Sequence, residues 1–346
     1  MGLGLIGASC AKALGAAGWR VSGDDADGVT LASARDQGVV ESGGFDGSVE
    51  LAVVATPAGA VADAARALLA ASTRADLVVT DVAGVKSSIV AAVGDPRFLA
   101  GHPMAGSEQR GLAGARADLF VGCTWVLTPT TETSPATYSR LHGVLREIGA
   151  NVVAVSAADH DRLVALASHV PHLVAGALMN EAAQAAQSDA VLLQLAAGGF
   201  RDMTRVAAGD PAIWPDVLVE NRVAVSATLG ALAARLSDLR GALEAGDRTA
   251  LADSLRAASE ARHRLPGRAL HADELAYLRV AVSDQPGQLA RVTTAASEMT
   301  VNIFDIEIAH GIEGVGGTLL LAVDARRADD FLVALGGLGF SVARER

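Results

Sequence analysis

Three glycines at the start of the chain restrict its fold more than any other feature. Gly2, Gly4 and Gly7 have the G-x-G-x-x-G spacing, enclose Leu5 and Ile6, and open an alanine-rich apolar run. In this motif one glycine makes a tight turn, one admits a pyrophosphate, and one lets a helix pack against its strand. The phosphates then lie at a helix N-terminus, where free N–H groups favour negative charge. The spacing therefore predicts a dinucleotide-binding loop.

A second strand with an acidic end supports this interpretation. Asp24 and Asp25 close the segment 20–25, about 20 residues after the loop, where a carboxylate can bind both ribose hydroxyls. A carboxylate there repels the 2′-phosphate of NADP, so we expect NAD as the cofactor. A buried strand normally precedes the loop, whereas Met1 stands directly before Gly2. We therefore expect that upstream residues complete this apparently missing first strand and raise stability.

Composition excludes several partners and sites. The net charge of −11 argues against nucleic acid and anionic membranes, because both require clustered cations. Apolar runs are interrupted by charges or turn signals before about 18 residues, so we expect a soluble, cytoplasmic protein without a membrane segment. The cysteines, Cys10 and Cys123, are too few for a disulfide framework or a metal set.

Residues 1–155 alternate between short β-rich runs and alanine-rich helical runs. The strand-like runs are 20–23, 51–55, 77–81, 98–101, 124–127 and 151–155. This alternation is typical of βαβ units and predicts a Rossmann-type α/β domain with a parallel sheet. Ligands of such sheets lie beyond the carboxyl ends of the strands. We therefore expect Thr56, Pro57 and Asp81, which stand at strand ends, to line the cofactor cleft.

The pattern changes twice after residue 155. Residues 156–265 have helical periodicity and predict an all-α domain, with helices over 158–167, 173–187, 189–197, 213–246 with at most one break, and 247–259. Proline, glycine and basic residues in 262–271 indicate a linker. Residues 275–346 have a β-α-β-β-α-β pattern, which predicts a ferredoxin-like domain.

Histidines form the first candidate site. His102 follows a strand and enters a glycine-rich loop, and its near-neutral pKa suits proton transfer; alternatively it only caps the loop. His160, His169 and His172 follow the last strand of the predicted sheet. They could form a hydrogen-bonded network near the dinucleotide or be ordinary core residues. A metal site is less favoured, because Pro171 interrupts the turn between His169 and His172.

Two further segments could bind anions. Arg201 and Arg205 share a helical face near Trp214 and could present two guanidinium groups to carboxylates, although a solvated charged turn with a tryptophan anchor is the alternative. In the C-terminal domain, Asp284, Pro286 and Gly287 form a turn before a helix, and Asn302 opens the next strand. Exposed N–H groups there could hold an amino-acid carboxylate; otherwise this is an ordinary loop and helix cap.

Together these motifs resemble one family. The motifs are the glycine loop and the segments 81–86, 102–108, 168–172, 199–205 and 210–214. In this order they are similar to prephenate (or arogenate) dehydrogenases, and residues 276–346 resemble an ACT domain, an amino-acid-sensing module. The resemblance implies a homodimer paired through a helical dimerisation and substrate domain. It also implies an aromatic amino-acid effector at Asp284, Pro286, Gly287 and Asn302.

The resemblance implies NAD-dependent oxidative decarboxylation of prephenate to 4-hydroxyphenylpyruvate in tyrosine biosynthesis. Arogenate, which would give tyrosine directly, stays open as the substrate. By the family pattern His102 is the catalytic base, and Arg205 and His172 contact substrate carboxylates. His169 is placed near the nicotinamide and His160 in a supporting network. The pocket mouth would be shaped by Arg201, Asp202 and Trp214.

One residue departs from the family pattern. The family usually has serine at the position of Gly84, and its hydroxyl is thought to bridge the catalytic histidine and the substrate. Ser87 or a water could replace it, or the hydrogen bond is dispensable.

Two competing functions remain open. A β-hydroxyacid dehydrogenase shares the domain order but needs a catalytic lysine in the helical domain, whereas Lys12 and Lys86 both lie before it. A non-catalytic, NAD-binding sensor of aromatic amino acids is the alternative from another class.

Overall fold

The structure is a computed structural model that describes residues 1–106, 109, 111–189, 191–211, 214–264, 275–283, 288–301, 303–310 and 317–345. The chain forms two compact units, Met1–Arg235 and Leu236–Arg346. Four predicted effector-site residues lie outside the described residues, namely Asp284, Pro286, Gly287 and Asn302.

The first unit begins with alternating strands and helices. They are α1 (Leu5–Ala16), β1 (Ser22–Gly23), α2 (Gly28–Asp36), β2 (Ser42–Gly43), β3 (Leu51–Val54), α3 (Ala58–Ala71), β4 (Val78–Asp81), α4 (Ser87–Ala92), β5 (Ala100–Pro103), β6 (Thr124–Thr128), α5 (Pro135–Glu147) and β7 (Asn151–Ala154). This order confirms the Rossmann-type domain. It places the glycine loop directly before α1.

Backbone hydrogen bonds connect the strands into one array. Gly2 N–H donates to Asp24 O and Ala55 N–H to Met1 O, so the first residues lie between β1 and β3. The pairs β1–β2, β3–β4 and β6–β7 are parallel, and a parallel bridge from Val79 to Phe98 connects β4 with the chain before β5. The carboxyl ends of β1, β3 and β4 therefore lie at one edge.

One strand pairing differs from the prediction. β5 and β6 are antiparallel, with His102 opposite Val126, whereas a purely parallel sheet was expected. A parallel neighbour needs a crossover connection, usually a helix. Between β5 and β6 the described residues contain only the 3₁₀ turn Leu112–Gly114. The chain returns alongside β5 without a crossover helix, and spacing alone does not reveal this.

Small aliphatic side chains fill the core of the first domain. α3 buries Val61, Ala65 and Leu68 in a cluster that includes Val54 and Val79 of the neighbouring strands. Full burial of each valine or leucine contributes about 1.5–3 kcal/mol. This packing fixes the strand ends from which the site residues project.

Helices follow the sheet and complete the first unit. They are α6 (Ala157–Val164), a π-helical turn (Ala165–His169), α7 (Val170–Ala186), α8 (Gly198–Thr204), α9 (Trp214–Glu220) and α10 (Arg222–Ala245), which extends into the second unit. The predicted helix over 189–197 is wrong, since the described residues of this range form only the 3₁₀ turn Leu192–Leu195. Leu193 and Leu195 are exposed, and a short helix without a packed face is marginal in water.

The run Ala157–Ala186 is long and apolar enough to cross a membrane by length and composition alone. The core helix of a soluble protein passes the same test, so this is weak evidence for a membrane segment. The run also carries His160, Asp161 and His169 in buried positions. Buried polar groups need hydrogen-bonding partners, and those of these three residues define the site described below.

The second unit contains α11 (Arg248–His263) and a βαββαβ domain. The domain consists of β8 (Leu275–Val282), α12 (Gln288–Glu298), β9 (Ile303–His310), β10 (Gly317–Asp324), α13 (Ala328–Gly337) and β11 (Ser341–Arg344). The strands form an antiparallel sheet in the order β11-β8-β10-β9. Leu278, Val292 and Phe331 share its apolar core. This confirms the predicted ferredoxin-like domain.

Candidate active site

The glycine loop has the geometry of a pyrophosphate site. Gly2 has φ +84°, and a Cβ there would lie 2.5 Å from Ala55 O. A Cβ on Gly7 would overlap the carbonyl oxygen of Gly2. Gly4 is the N-cap of α1, has no side-chain cap, and would direct a Cβ into open space. Leu5 and Ile6 begin α1, so its free N–H groups face an open approach.

The acidic segment after β1 supports this loop. Asp25 Oδ2 accepts from Leu3 N–H at 2.6 Å, and its Oδ1 accepts from Asp27 N–H at 2.9 Å. Asp24 is exposed, and its Oδ1 accepts from Asp25 N–H at 3.1 Å. Each carboxylate oxygen has two acceptor sites. Both residues therefore retain capacity for the ribose hydroxyls while Asp25 orders the loop.

The end of β3 offers one more polar group. Thr56 Oγ1 is buried and has no hydrogen-bond partner among the residues that the structure describes. The next residue, Pro57, is exposed and is the N-cap of α3. A buried hydroxyl without a partner is costly, so a ligand at this strand end would satisfy Thr56. The loop, the acidic segment and Thr56 together fit a dinucleotide.

Asp81 differs from the expectation that it lines the cofactor cleft. Its carboxylate is completely buried and forms an ion pair with Lys86 Nζ. It also accepts from Ala83 N–H at 3.0 Å and Gly101 N–H at 3.1 Å. Lys86 Nζ donates to Gly101 O at 2.6 Å as well. The Asp81 side chain is therefore unavailable to a cofactor and instead fixes the end of β5 just before His102.

His102 belongs to a chain of hydrogen-bonded side chains, which we call the histidine relay: His102, His160 and Asp161. His102 Nδ1 lies 2.8 Å from His160 Nε2, and His160 Nδ1 lies 2.8 Å from Asp161 Oδ1. An ionised carboxylate only accepts, so His160 carries its proton on Nδ1. His160 Nε2 then accepts from His102 Nδ1–H. This assignment leaves His102 Nε2 as a proton acceptor.

Asp161 anchors the relay to the N-terminus of α4. Its carboxylate accepts from Lys86 N–H and Ser87 N–H, both at 2.8 Å. Burial would raise the pKa of Asp161, but hydrogen bonds from His160, Ser87 and Lys86 lower it to about 2. The Ser87 hydroxyl contributes one of these bonds. Ser87 therefore hydrogen-bonds to Asp161. The structure does not support the expectation that Ser87 replaces a serine at position 84.

His102 is kept neutral by its surroundings. Burial lowers its pKa well below 6.5, and the positive charge of Lys86 lowers it further. A neutral imidazole with a free Nε2 lone pair can accept a proton at neutral pH.

His169 and His172 are placed by the π-helical turn between α6 and α7. His169 is buried, and its ring meets Trp214 edge-on with centroids 6.2 Å apart. The ring of His172 stacks on the ring of Trp214, with centroids 3.7 Å apart and planes 15° apart. Burial lowers the pKa of both histidines. A Cβ on Gly209 would lie 3.3 Å from His172 Cε1, so the chain passes closely over this stack.

The predicted substrate-binding arginines lie on neighbouring elements. Arg205 starts the 3₁₀ turn Arg205–Ala208, which contacts α7, the helix of His172. Arg201 Nε donates to Ala196 O at 3.2 Å. The side chains of Arg201, Asp202 and Arg205 are exposed. Their substrate roles remain predictions.

Asn221 was missed in the sequence, whereas Gly84 was already singled out by its departure from the family pattern. Asn221, at the junction of α9 and α10, is buried and hydrogen-bonds to His169 and to the backbone of Asp161. No motif around it indicates this. Gly84 lies against the base itself, because a Cβ there would be 3.9 Å from His102 Nε2 and 3.8 Å from Val217 Cγ1.

The histidines do not assemble as metal ligands within the described part of the chain. There, no group of three or more His, Cys, Asp or Glu side chains has an arrangement that could hold a metal ion. The short contacts of His102 and His160 are instead made to each other and to Asp161.

Comparison with known proteins covers most of the first unit and the start of the second. Residues 10–154 match the family model described as prephenate dehydrogenase, nucleotide-binding domain. Residues 156–257 match the model described as prephenate dehydrogenase, dimerization domain. A prephenate dehydrogenase from Bacillus subtilis is 30% identical over 96% of this chain and 94% of its own length.

Solved structures agree with these matches. Prephenate dehydrogenase from Aquifex aeolicus, in complex with hydroxyphenyl propionate and NAD+, has a TM-score of 0.71 and 28% identity, and the match covers 75% of this chain and 95% of that one. Synechocystis arogenate dehydrogenase has a TM-score of 0.65 and 31% identity, with 75% and 96% covered. The family models and the Bacillus subtilis relative show that this chain belongs to the prephenate dehydrogenase family.

Proposed function

We propose that the protein catalyses the NAD-dependent oxidative decarboxylation of prephenate to 4-hydroxyphenylpyruvate in tyrosine biosynthesis. The observation that carries this proposal is the histidine relay, which leaves His102 Nε2 as a neutral proton acceptor. The Bacillus subtilis relative is named a prephenate dehydrogenase, and the Aquifex aeolicus enzyme binds NAD+ together with a hydroxyphenyl compound. A cytoplasmic location stays a prediction.

His102 would act on the hydroxyl group of the substrate ring. It takes the hydroxyl proton while the ring carbon that bears this hydroxyl loses a hydride, for which NAD supplies the acceptor. The ring carboxylate then leaves as CO2, and its electron pair aromatises the ring to a phenolate. His102 returns the proton to the phenolate oxygen, so the base is regenerated. His160 and Asp161 hold the tautomer that permits both transfers.

Arg205 and His172 would hold the substrate's carboxylates. The guanidinium of Arg205 is permanently charged and can bind a carboxylate through two parallel hydrogen bonds. His172, whose pKa burial lowers, would contribute a neutral donor whose ring plane is set by Trp214. Arg201 and Asp202 would shape the pocket mouth. Positioning of this kind accounts for much of the catalysis when a cofactor accepts the hydride.

An absorbance assay tests the proposal directly. Formation of NADH is measured after adding prephenate or arogenate, each with NAD and with NADP. We expect prephenate with NAD to give the highest kcat/KM, and His102→Asn to lower kcat by about 10²–10⁴-fold. His142→Asn is the matched control, because His142 stacks on Tyr138 of α5. Absence of NADH with both substrates would leave the non-catalytic sensor as the better function.

Arogenate is the second candidate substrate, since the Synechocystis neighbour is named an arogenate dehydrogenase. The two substrates differ in a keto or amino group. A higher kcat/KM with arogenate in the same assay would assign that reaction without changing the roles proposed for His102 or NAD.

We also propose that the protein is a homodimer paired through its helical domain, which matches the model described as a dimerization domain. On α10, the side chains of Leu229, Leu236 and Leu243 are exposed and recur at heptad spacing, as in helix–helix interfaces. Light scattering should give twice the chain mass, and Leu236→Glu should shift the protein toward a monomer. A monomeric wild type would contradict this.

The C-terminal domain is proposed to bind an aromatic amino acid that regulates the enzyme. The proposal depends on the ferredoxin-like fold of this domain and on the predicted turn that contains Asp284 and Gly287. Tyrosine or phenylalanine should lower the activity of the full chain, and Asp284→Ala should weaken this inhibition. Unchanged inhibition in the variant would exclude Asp284 from the effector site.

A further inference from the structure

Asn221 connects the helical domain to two histidine-bearing segments. It lies at the junction of α9 and α10 and is 4% exposed. Its backbone continues the helical hydrogen bonding, because Asn221 N–H donates to Val217 O and Val225 N–H donates to Asn221 O. Its side chain donates to Asp161 O at 2.8 Å and lies 3.1 Å from His169 Nδ1.

The orientation of the Asn221 amide follows from its partners. The main-chain carbonyl of Asp161 can only accept, so the amide atom that faces it must be the nitrogen Nδ2. The same carbonyl also accepts from Ala165 N–H at the start of the π-helical turn, so both of its acceptor sites are used.

The second hydrogen of Asn221 Nδ2 then determines the state of His169. It is directed to His169 Nδ1, which must therefore be unprotonated. His169 is buried, and burial favours the neutral ring. A neutral imidazole with an unprotonated Nδ1 carries its hydrogen on Nε2. The groups that interact with this ring are His160 and Asp161 of α6, His102 of β5 and Trp214 of α9.

We propose that Asn221 is a positioning residue that fixes His169 as the neutral Nε2–H tautomer, a single hydrogen-bond donor for an oxygen of the bound nicotinamide nucleotide. The proposal rests on the proposed function and on the position of His169 near the nicotinamide, which the family resemblance implies. Through Asp161, the same amide also joins the junction of α9 and α10 to the anchor of the histidine relay.

Substitution of Asn221 by aspartate reverses the hydrogen bonding with little change in shape. A carboxylate cannot donate to Asp161 O, and it draws the imidazole hydrogen of His169 to Nδ1. The loss of one neutral hydrogen bond to the nucleotide should raise KM for NAD by about three- to tenfold. The kcat at saturating NAD should change much less, because His102 keeps its own partner, His160.

Nitrogen NMR of ring-labelled histidine in the full chain tests the tautomer itself. The His169 signals are assigned from a His169→Asn variant. We expect an unprotonated Nδ1 and a protonated Nε2 in the wild type, and a protonated Nδ1 in Asn221→Asp. Asn151→Asp is the matched control, because Asn151 is exposed and its Nδ2 donates to another backbone carbonyl, Gly122 O. That variant should leave the His169 signals and KM unchanged.

Two results would overturn the proposal. The first is a protonated His169 Nδ1 in the wild type, a measurement that does not depend on whether any variant folds. The second is an Asn221→Asp protein with a lower Tm but with wild-type His169 signals and NAD affinity, which would show a purely structural role. Failure of the proposed function is distinguishable, because it appears as absent turnover in the wild type and leaves the NMR and NAD-binding measurements intact.

Discussion

The glycine loop and the histidine relay are built in opposite ways. The loop consists of consecutive residues, and its function depends on the absence of side chains at Gly2, Gly4 and Gly7. The relay joins His102 of β5 to His160 and Asp161 of α6, and its function depends on the atoms that these side chains carry. Added atoms should therefore damage the loop, whereas removed atoms should damage the relay.

The largest expected effect comes from removing the middle of the relay. His160→Ala deprives His102 Nδ1–H of its acceptor, so the tautomer with a free Nε2 is no longer favoured. General base catalysis contributes about 10²–10⁴-fold, and we expect kcat to fall by about 10²-fold. Steady-state kinetics with saturating NAD and substrate measures this loss.

His160→Gln is the matched variant for this test. A glutamine can place its amide oxygen near the position of His160 Nε2 and accept from His102 Nδ1–H. It should recover a substantial part of the activity lost in His160→Ala. If both variants lose the same activity, the relay does not act by fixing the His102 tautomer.

The second prediction distinguishes the roles of Gly7 and Gly4 in the loop. Gly7→Ala places a methyl group onto the Gly2 carbonyl and should lower the free energy of unfolding by about 1–3 kcal/mol. Gly4→Ala adds its methyl group in open space, so it should leave the unfolding free energy almost unchanged and weaken NAD binding. Denaturant unfolding and calorimetric titration with NAD measure the two quantities. Equal destabilisation by both substitutions would contradict the separate roles.

The same contrast explains how much could be predicted from the sequence. The spacing of Gly2, Gly4 and Gly7 is local, so it identified the loop. The partner of Asp81 could not be identified, because Lys86 returns to it only through the turn after β4.

The relay was only partly visible for the same reason. The clustering of the four histidines suggested a network, but the contact of His160 to His102 and the amide of Asn221 depend on how α6, α9 and α10 pack. The antiparallel pairing of β5 with β6 was missed, because the alternation of strands and helices indicates strands without giving their direction. Periodicity was sufficient for the ferredoxin-like domain, whose strands and helices follow the predicted order.

Gly84 belongs to both kinds of region, since it is a glycine beside the relay. A Cβ there would make ordinary contacts of 3.8–3.9 Å with Val217 and His102, so Gly84→Ser should fold normally. Its hydroxyl could hydrogen-bond to His102 Nε2. The wild-type chain lacks this group, so under the proposed function we expect kcat to change by less than about tenfold. Gly84→Val is the control for side-chain bulk and should lower kcat more than Gly84→Ser. Complete inactivation by Gly84→Ser would contradict the expectation that the site tolerates both glycine and serine.

The smallest expected effect is the response of kcat/KM to mild acid. A base with an ordinary pKa near 6.5 would lose about threefold of its neutral form between pH 7 and pH 6. Burial, followed by the charge of Lys86, lowers the pKa of His102 well below 6.5. We therefore expect kcat/KM, which reports on the free enzyme, to fall by less than about 1.5-fold over this interval.

The free energy of unfolding should respond to the same acid more strongly than kcat/KM does. As the pH falls below 6.5, the unfolded chain binds a proton at His102 and the folded chain does not. The unfolded state then binds more protons, so the free energy of unfolding decreases with falling pH while kcat/KM stays nearly constant. Denaturant unfolding at each pH measures the first quantity, and circular dichroism verifies that the assayed enzyme remains folded. A threefold fall in kcat/KM without a change in stability would mean that His102 titrates as an exposed histidine, which the buried relay does not allow.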